Sequence, residues 1–149
     1  MSLKNLSIGC DHGGFEMKQS LKKLLTENGF AVSDRGCFST ESVDYPDYAK
    51  AVCDDVNSGA AQFGVLVCTS GIGMSIAANK VRGIRAALCL STDAGKFSRL
   101  HNNANVCCLG AKYLDAAAAF EIVRTFAETQ FEGGRHERRV AKFMEFENL

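Results

Sequence analysis

The feature that most constrains this chain is its alternation of short apolar runs with longer amphipathic stretches. Five apolar runs have the length of a β-strand, and a stretch with apolar residues at helical spacing follows each of them. Strands that alternate with helices form a parallel sheet, which needs helices on both faces. We therefore predict an α/β fold of three layers, α/β/α, around a five-stranded parallel sheet.

The predicted elements follow one another along the whole chain, with no internal repeat and no low-complexity linker. We expect one domain over residues 1–149, which ends in a helical extension after the hinge Gly133-Gly134. The strands are predicted at residues 3–10, 30–34, 64–68, 84–90 and 104–109. The helices are predicted at residues 15–28, 46–57, 74–80, 92–100, 115–129 and 135–145.

The composition limits the classes of partner. Lysine and arginine together number 17, as do aspartate and glutamate, so the chain lacks the positive charge typical of nucleic-acid and membrane-surface binders. Its apolar runs are all far shorter than the roughly 20 residues of a membrane span. The seven cysteines lie mostly in apolar runs and never at C-x-x-C spacing, which indicates reduced core residues. We expect a cytoplasmic protein that binds neither nucleic acid nor membrane.

Ligands of parallel sheets bind beyond the carboxyl ends of the strands. The first predicted strand leads into Asp11, and the third ends at Cys68. We also expect the loop before the fifth strand to belong to this site, because it follows a helix and carries polar side chains. The candidate segments are Asp11-His12-Gly13, Cys68-Thr69-Ser70-Gly71 and His101-Asn102.

The segment from Cys68 to Ser75, Cys-Thr-Ser-Gly-Ile-Gly-Met-Ser, is the most informative motif. The N–H groups at the start of the following helix can bind a phosphate or an enediolate, and they favour a thiolate at Cys68. The motif lacks the pattern of a P-loop or of a dinucleotide-binding loop. Met74 stands where a phosphatase loop would have arginine. A packed cysteine that ends a strand before a glycine turn explains the motif equally well.

Two further constellations have an ordinary structural explanation beside a functional one. Asp11 and His12 can move protons or bind a phosphate, but they are also compatible with a helix cap and a surface histidine. Arg135 and Arg139 are four residues apart, so they share a helix face and can grip a phosphate with two guanidinium groups. A solvated basic turn would contain the same residues.

Taken together, these segments resemble the ribose-5-phosphate isomerase B family, which also includes galactose-6-phosphate isomerase subunits. The resemblance covers nearly the whole chain. It rests on Gly9-Cys10-Asp11-His12-Gly13-Gly14, Asp44-Tyr45-Pro46, Ser70-Gly71-Ile72-Gly73-Met74-Ser75-Ile76-Ala77-Ala78-Asn79-Lys80, Gly83-Ile84-Arg85-Ala86, Arg99-Leu100-His101-Asn102 and Glu132-Gly133-Gly134-Arg135-His136.

The resemblance implies a Rossmann-like fold and a homodimer, or a dimer of such dimers, with active sites at the subunit interface. It implies a phosphorylated sugar as substrate and neither a metal nor an organic cofactor. The expected reaction interconverts ribose 5-phosphate and ribulose 5-phosphate through a cis-enediolate. A hexose 6-phosphate of the allose or galactose series is the alternative substrate, and a phosphosugar-binding module without catalysis is the alternative function.

The resemblance also implies roles at matching positions. Cys68 would be the base that abstracts the proton next to the carbonyl, and Ser70 would move a proton between the two substrate oxygens. His101 would open the sugar ring, with Asp11 nearby. Asn102 would hold a hydroxyl group. The remaining substrate-binding positions are Tyr45, Gly71 and Gly73, with His12, Arg135 and Arg139 as ligands of the phosphate.

Two positions depart from the family pattern. Thr69 stands beside the base where the family usually has glycine, and its branched side chain could narrow the loop or change the substrate preference. Lys112 stands where many members have an arginine that binds the phosphate. Lysine keeps the charge but lacks the planar fork, so we expect weaker phosphate binding.

Overall fold

The computed structural model describes residues 4–149, so the predicted start of the first strand at Leu3 lies outside the described residues. Its centre is a sheet of five strands: β1 Asn5–Cys10, β2 Ala31–Asp34, β3 Phe63–Cys68, β4 Ala86–Leu88 and β5 Val106–Gly110. The strands lie in the order β2-β1-β3-β5-β4, and every neighbouring pair is parallel. The predicted five-stranded parallel sheet is confirmed.

Six helices connect and extend these strands: α1 Phe15–Glu27, α2 Tyr45–Ser58, α3 Ile72–Asn79, α4 Thr92–Asn102, α5 Ala116–Glu128 and α6 Arg135–Met144. Short 3-10 turns cover His12–Gly14 and Glu145–Asn148. The predicted cap at Asp115 is confirmed, because its side chain accepts a hydrogen bond from Ala118 N–H at 2.8 Å. Within residues 4–149, none of the helices is both long and apolar enough to cross a membrane.

Side chains of β3 alternate between two apolar cores, one on each face of the sheet. Val65 and Val67 pack in the core that α1 and α5 cover, whereas Leu66 and Cys68 pack in the core that α2 and α3 cover. Met74 on α3 belongs to this second core. The alternation therefore directs the Cys68 side chain toward the helix that begins immediately after it.

Two helix ends differ from the prediction by two residues, and β4 is shorter than its predicted range of 84–90. Helix α3 begins at Ile72 rather than at Met74, because Gly71 adopts φ +80° and turns the chain directly into the helix. Helix α4 continues to Asn102 rather than ending near Leu100, because the left-handed residue that closes it is Asn103, at φ 49°. We expected His101 in a loop, but it lies in the last turn of α4.

A fully buried lysine stabilises the edge of the sheet near β2. Lys18 Nζ donates to Asp34 Oδ1 at 2.6 Å and to the carbonyl oxygen of Cys37 at 2.7 Å. Lys22 Nζ lies 2.9 Å from the other carboxylate oxygen of Asp34. Burial alone would raise the pKa of Asp34, but the hydrogen bonds from these lysines outweigh it and the pKa is lowered.

Candidate active site

The first part of the site lies where the carboxyl ends of β1 and β3 meet. Cys10 pairs with Val67 across the two strands, and Asp11 N–H donates to Val67 O at 3.2 Å. The Asp11 side chain is buried, and its Oδ1 accepts a hydrogen bond from Gly14 N–H at 3.1 Å. Asp11 is thus a cap, as the structural explanation predicted, and it also lies at the point of the sheet where the winding reverses, where ligands bind.

His12 extends from this turn toward solvent. Its Nδ1 accepts a hydrogen bond from Val43 N–H at 3.2 Å, which fixes the ring against the segment before α2. The tautomer that this bond requires carries its proton on Nε2, so the free edge of the ring is a donor toward the site.

The third strand brings Cys68 against the start of α3. Its Sγ accepts a hydrogen bond from Gly71 N–H at 3.2 Å, and the residue is only 6% exposed. The left-handed Gly71 leaves no room for a side chain, since a Cβ there would lie 2.6 Å from Leu88 Cδ1 and 2.9 Å from the carbonyl carbon of Leu109. The glycine therefore presents its N–H to the sulfur, where it stabilises negative charge.

Further backbone donors line the same helix end. Ser70 Oγ accepts a hydrogen bond from Ile72 N–H at 3.2 Å, and Ser75 N–H begins the helical pattern by donating to Gly71 O. No hydrogen bond within residues 4–149 uses the N–H of Gly73 or Met74. Two donors at the positive end of α3 are therefore available to an oxyanion beside Cys68.

Burial keeps two other cysteines, Cys10 and Cys53, in the thiol form. It raises the pKa of Cys10 and of Cys53 to about 12, and both therefore remain protonated thiols near neutral pH. Cys68 is also buried but has a backbone N–H donor on its sulfur and a helix N-terminus behind it. That donor and that helix N-terminus distinguish the position of Cys68 from the positions of Cys10 and Cys53.

Three more predicted residues complete this edge. The ring of Tyr45 packs over Gly73, where a Cβ would lie 2.8 Å from its Cζ. The Thr69 hydroxyl packs directly against Gly13, and Lys112 N–H donates to Thr69 O at 3.0 Å. A cavity of about 400 Å³ lies beside Thr69 and Lys112, between the loops after β1, β3 and β5 and the first turns of α1 and α5, and Cys68 does not line it. The predicted residues that share the carboxyl edge are Asp11, His12, Tyr45, Cys68, Thr69, Ser70, Gly71, Gly73 and Lys112.

The other four predicted residues lie elsewhere. Helix α4 returns the chain from the carboxyl end of β4 to the amino end of β5, so His101 and Asn102 lie at the amino edge of the sheet. Arg135 and Arg139 lie exposed on α6, which packs against α4. The four steps of β5 from Val106 to Gly110 alone span roughly 13 Å. The expectation that the segment with His101 and Asn102 lies beyond the carboxyl ends of the strands is wrong, because a crossover helix ends at the opposite edge from the one where it begins.

His101 has two neighbours to which the sequence motifs give no role. The His136 ring stacks on it with centroids 4.1 Å apart and planes 14° apart, and Glu132 Oε2 lies 3.8 Å from its Nε2. His136 is buried because it shares the inner face of α6 with Val140, four residues later. That spacing from an apolar residue was the available signal. Among the described residues, His101, Glu132 and His136 form the one group that could hold a metal ion.

Comparisons with known proteins show the family to which the chain belongs. The family model described as Ribose/Galactose Isomerase matches residues 6–143. Ribose-5-phosphate isomerase B of Escherichia coli K12 is 42% identical over 138 residues, which are 93% of each chain. A solved ribose 5-phosphate isomerase of Thermotoga maritima is 51% identical with a TM-score of 0.93, over 95% of this chain and 98% of that chain. The type B enzyme of Leishmania infantum is 43% identical with a TM-score of 0.93, over 99% of this chain and 98% of that chain.

Proposed function

This chain belongs to the Ribose/Galactose Isomerase family, and we propose that it interconverts ribose 5-phosphate and ribulose 5-phosphate. The observation that carries the proposal is the position of Cys68. Its sulfur lies at the N-terminus of α3, beside backbone donors that no group of the described chain uses. A base next to a ready oxyanion site is what an isomerisation through an enediolate requires.

The proposed reaction moves one proton between two carbons and one between two oxygens. The Cys68 thiolate removes the proton from C2 of the open-chain aldose, and the electron pair forms the C1–C2 double bond of the enediolate. Donors at Gly73 and Met74 stabilise the developing charge on oxygen. The Ser70 hydroxyl moves a proton from O2 to O1, and the Cys68 thiol then returns its proton to C1. The base is restored at the end of the cycle.

The remaining tasks require the residues at the opposite edge of the sheet. A furanose must open before it can isomerise, and an imidazole can act as the acid for that step. His101 is the candidate, but in its own chain it lies on the far side of the sheet from Cys68. We infer that a second copy supplies His101, Asn102, Arg135 and Arg139 to each carboxyl-edge site. The protein is then a homodimer, or a dimer of such dimers, with sites shared between subunits.

The test compares turnover of ribose 5-phosphate by the wild type, Cys68→Ala and Cys53→Ala. The control removes the same thiol from the same buried core, at a position far from the helix N-terminus. We expect Cys68→Ala to lose about 10²- to 10⁴-fold in kcat, the range of a general base, and Cys53→Ala to keep most of its activity. Circular dichroism checks that each variant is folded.

Two results would contradict parts of the proposal. Full activity in a folded Cys68→Ala variant would make Cys68 a packing residue, and the base would have to be sought elsewhere. A wild type that turns over only hexose 6-phosphates would refute the ribose assignment while leaving the isomerase chemistry intact. Thr69, whose side chain lies against Gly13 at the mouth of the site, would then be the first position to vary.

A further inference from the structure

Three side chains at the amino edge of the sheet bring metal-ligating atoms together. His101 from α4, His136 from α6 and Glu132 from the segment before α6 each offer one such atom, and all three atoms lie within 4.8 Å of one another. His101 Nε2 and Glu132 Oε2 are 3.8 Å apart. Two imidazoles and one carboxylate are a donor set that suits divalent zinc and its first-row neighbours.

A second, independent observation concerns His136. It is 7% exposed, and its Nε2 is a buried polar atom with no hydrogen-bond partner among the described residues. An imidazole nitrogen binds a metal through its lone pair, so a buried ring nitrogen without a partner is a candidate ligand. A buried polar atom without a partner requires an explanation, and one explanation is a ligand that the chain itself does not contain.

We propose that His101, Glu132 and His136 bind one divalent transition-metal ion of the zinc type. Two imidazole nitrogens and one carboxylate oxygen hold the ion, and water completes the tetrahedron. The site uses neither Cys68 nor any other thiol. It is a regulatory site and supplies no step of the isomerisation.

The arrangement must contract when the ion binds. Zinc lies about 2.0–2.1 Å from each nitrogen or oxygen, so tetrahedral ligand atoms are about 3.4 Å apart. The stacked rings must also tilt, because the lone pairs of nearly parallel imidazoles do not converge on one point. The side chains of His101 and Glu132 are 37% and 54% exposed and can move, whereas His136 is held in the core. This rearrangement and the positive charge of Arg135 and Arg139 on α6 weaken the site.

Binding has a consequence that rests on the proposed function. The ion binds the imidazole of His101, which is the group assigned to ring opening, so this imidazole can no longer act as the acid. The ion therefore inhibits turnover of the furanose form of the substrate. This gives the metal the role of an inhibitor, which agrees with catalysis that needs no cofactor.

The test is a titration of the whole protein with Co²⁺, followed by its visible absorption in the absence of substrate. We expect one tetrahedral Co²⁺ per chain with a spectrum that lacks sulfur-to-cobalt charge transfer. His136→Ala and the surface variant Glu132→Gln should each weaken binding about tenfold or more. Glu27→Gln removes an exposed carboxylate at the end of α1, outside both edges of the proposed site, and is the matched control for Glu132→Gln, with binding unchanged.

Several outcomes would overturn the site: no bound Co²⁺, a sulfur charge-transfer band, or binding that survives in both Glu132→Gln and His136→Ala. Glu132→Gln changes an exposed side chain, so it remains informative if His136→Ala fails to fold. Because this readout needs no turnover, it is separate from the isomerase assay. A chain that binds Co²⁺ but does not isomerise ribose 5-phosphate would contradict the proposed function and leave the metal site standing.

Discussion

Mixing two inactive variants tests whether the active site is shared between subunits. Cys68→Ala damages the carboxyl edge of the sheet, and His101→Ala damages the amino edge. The strand between these edges spans roughly 13 Å, so the two side chains of one chain cannot act on the same sugar carbons. If each site combines opposite edges of two chains, a mixed dimer has one site with both residues intact and one site with neither.

The expected recovery follows from this pairing. Equal amounts of the two variants that exchange subunits at random give about one half mixed dimers, each with one active site of two, so activity returns to about one quarter of the wild-type value. Before mixing, Cys68→Ala should have lost about 10²- to 10⁴-fold. The recovery is therefore large against its background. It should appear only when the two variants are refolded together.

The assay is ribose 5-phosphate turnover after the variants are unfolded together in urea and refolded by dilution. The matched control mixes Cys68→Ala with Ser70→Ala, two lesions at the same edge, for which no arrangement of subunits restores a site. Failure of the Cys68→Ala and His101→Ala pair to recover, with wild-type protein refolding normally, would refute the shared site. His101 would then have no access to the substrate in this fold, and the ring-opening role would pass to another residue.

The remaining predictions concern stability. Lys18→Met should lower the free energy of unfolding by about 2–4 kcal/mol in urea titrations. The loss is smaller than for a buried carboxylate left without any partner, because Asp34 keeps its ion pair with Lys22. Lys50→Met, which removes an exposed ion pair, should cost less than about 1 kcal/mol. Because the pKa of Asp34 is lowered in the folded state, its carboxylate stabilises the fold above about pH 4, and this stabilisation is lost as the pH falls further. Acid titration should therefore lower the free energy of unfolding of the wild type more than that of Lys18→Met. Gly71→Ala combines a left-handed backbone with a steric clash and should lower the free energy of unfolding by about 2–5 kcal/mol. Gly59→Ala, at φ +82° with open space around it, should lower it by about 1–2 kcal/mol. Equal losses in the two variants would contradict the clash at Gly71.

The sequence allowed the sheet and one half of the site to be predicted, for the same physical reason. Strands buried on both faces are apolar throughout, so the sequence shows where each strand ends. The carboxyl ends of β1 and β3 then place Asp11 and Cys68 side by side. The start of α3 was two residues late because a glycine turn and a first helical turn have similar compositions. Whether Gly71 or Gly73 ends the turn depends on packing against Leu109, which a local pattern does not contain.

The second half of the site was placed at the wrong edge because a segment that directly precedes a strand lies at the amino end of that strand, whether it is a loop or the last turn of a helix. The helical end at Asn103 depends on one left-handed residue that is not glycine, and few sequence signals distinguish it from Leu100 as a stopping point. His136 was overlooked for a different reason. A histidine within a run of arginines has the sequence pattern of an exposed residue. Only its spacing of four residues from Val140 indicates that it is buried.

The division of the site between two edges has a general cause in the fold. In a parallel α/β sheet, every crossover helix begins at the carboxyl edge and ends at the amino edge. Helix N-termini, which favour anions, and helix C-termini, which favour cations, are therefore kept apart within one chain. Here the proposed base Cys68 lies at the N-terminus of α3, and the proposed acid His101 lies in the last turn of α4. Under the proposed function, the enediolate site and the acid meet on one small sugar when a second chain presents its opposite edge. The proposed dimer therefore follows from the proposed chemistry, because the two helix ends lie at opposite edges of one chain.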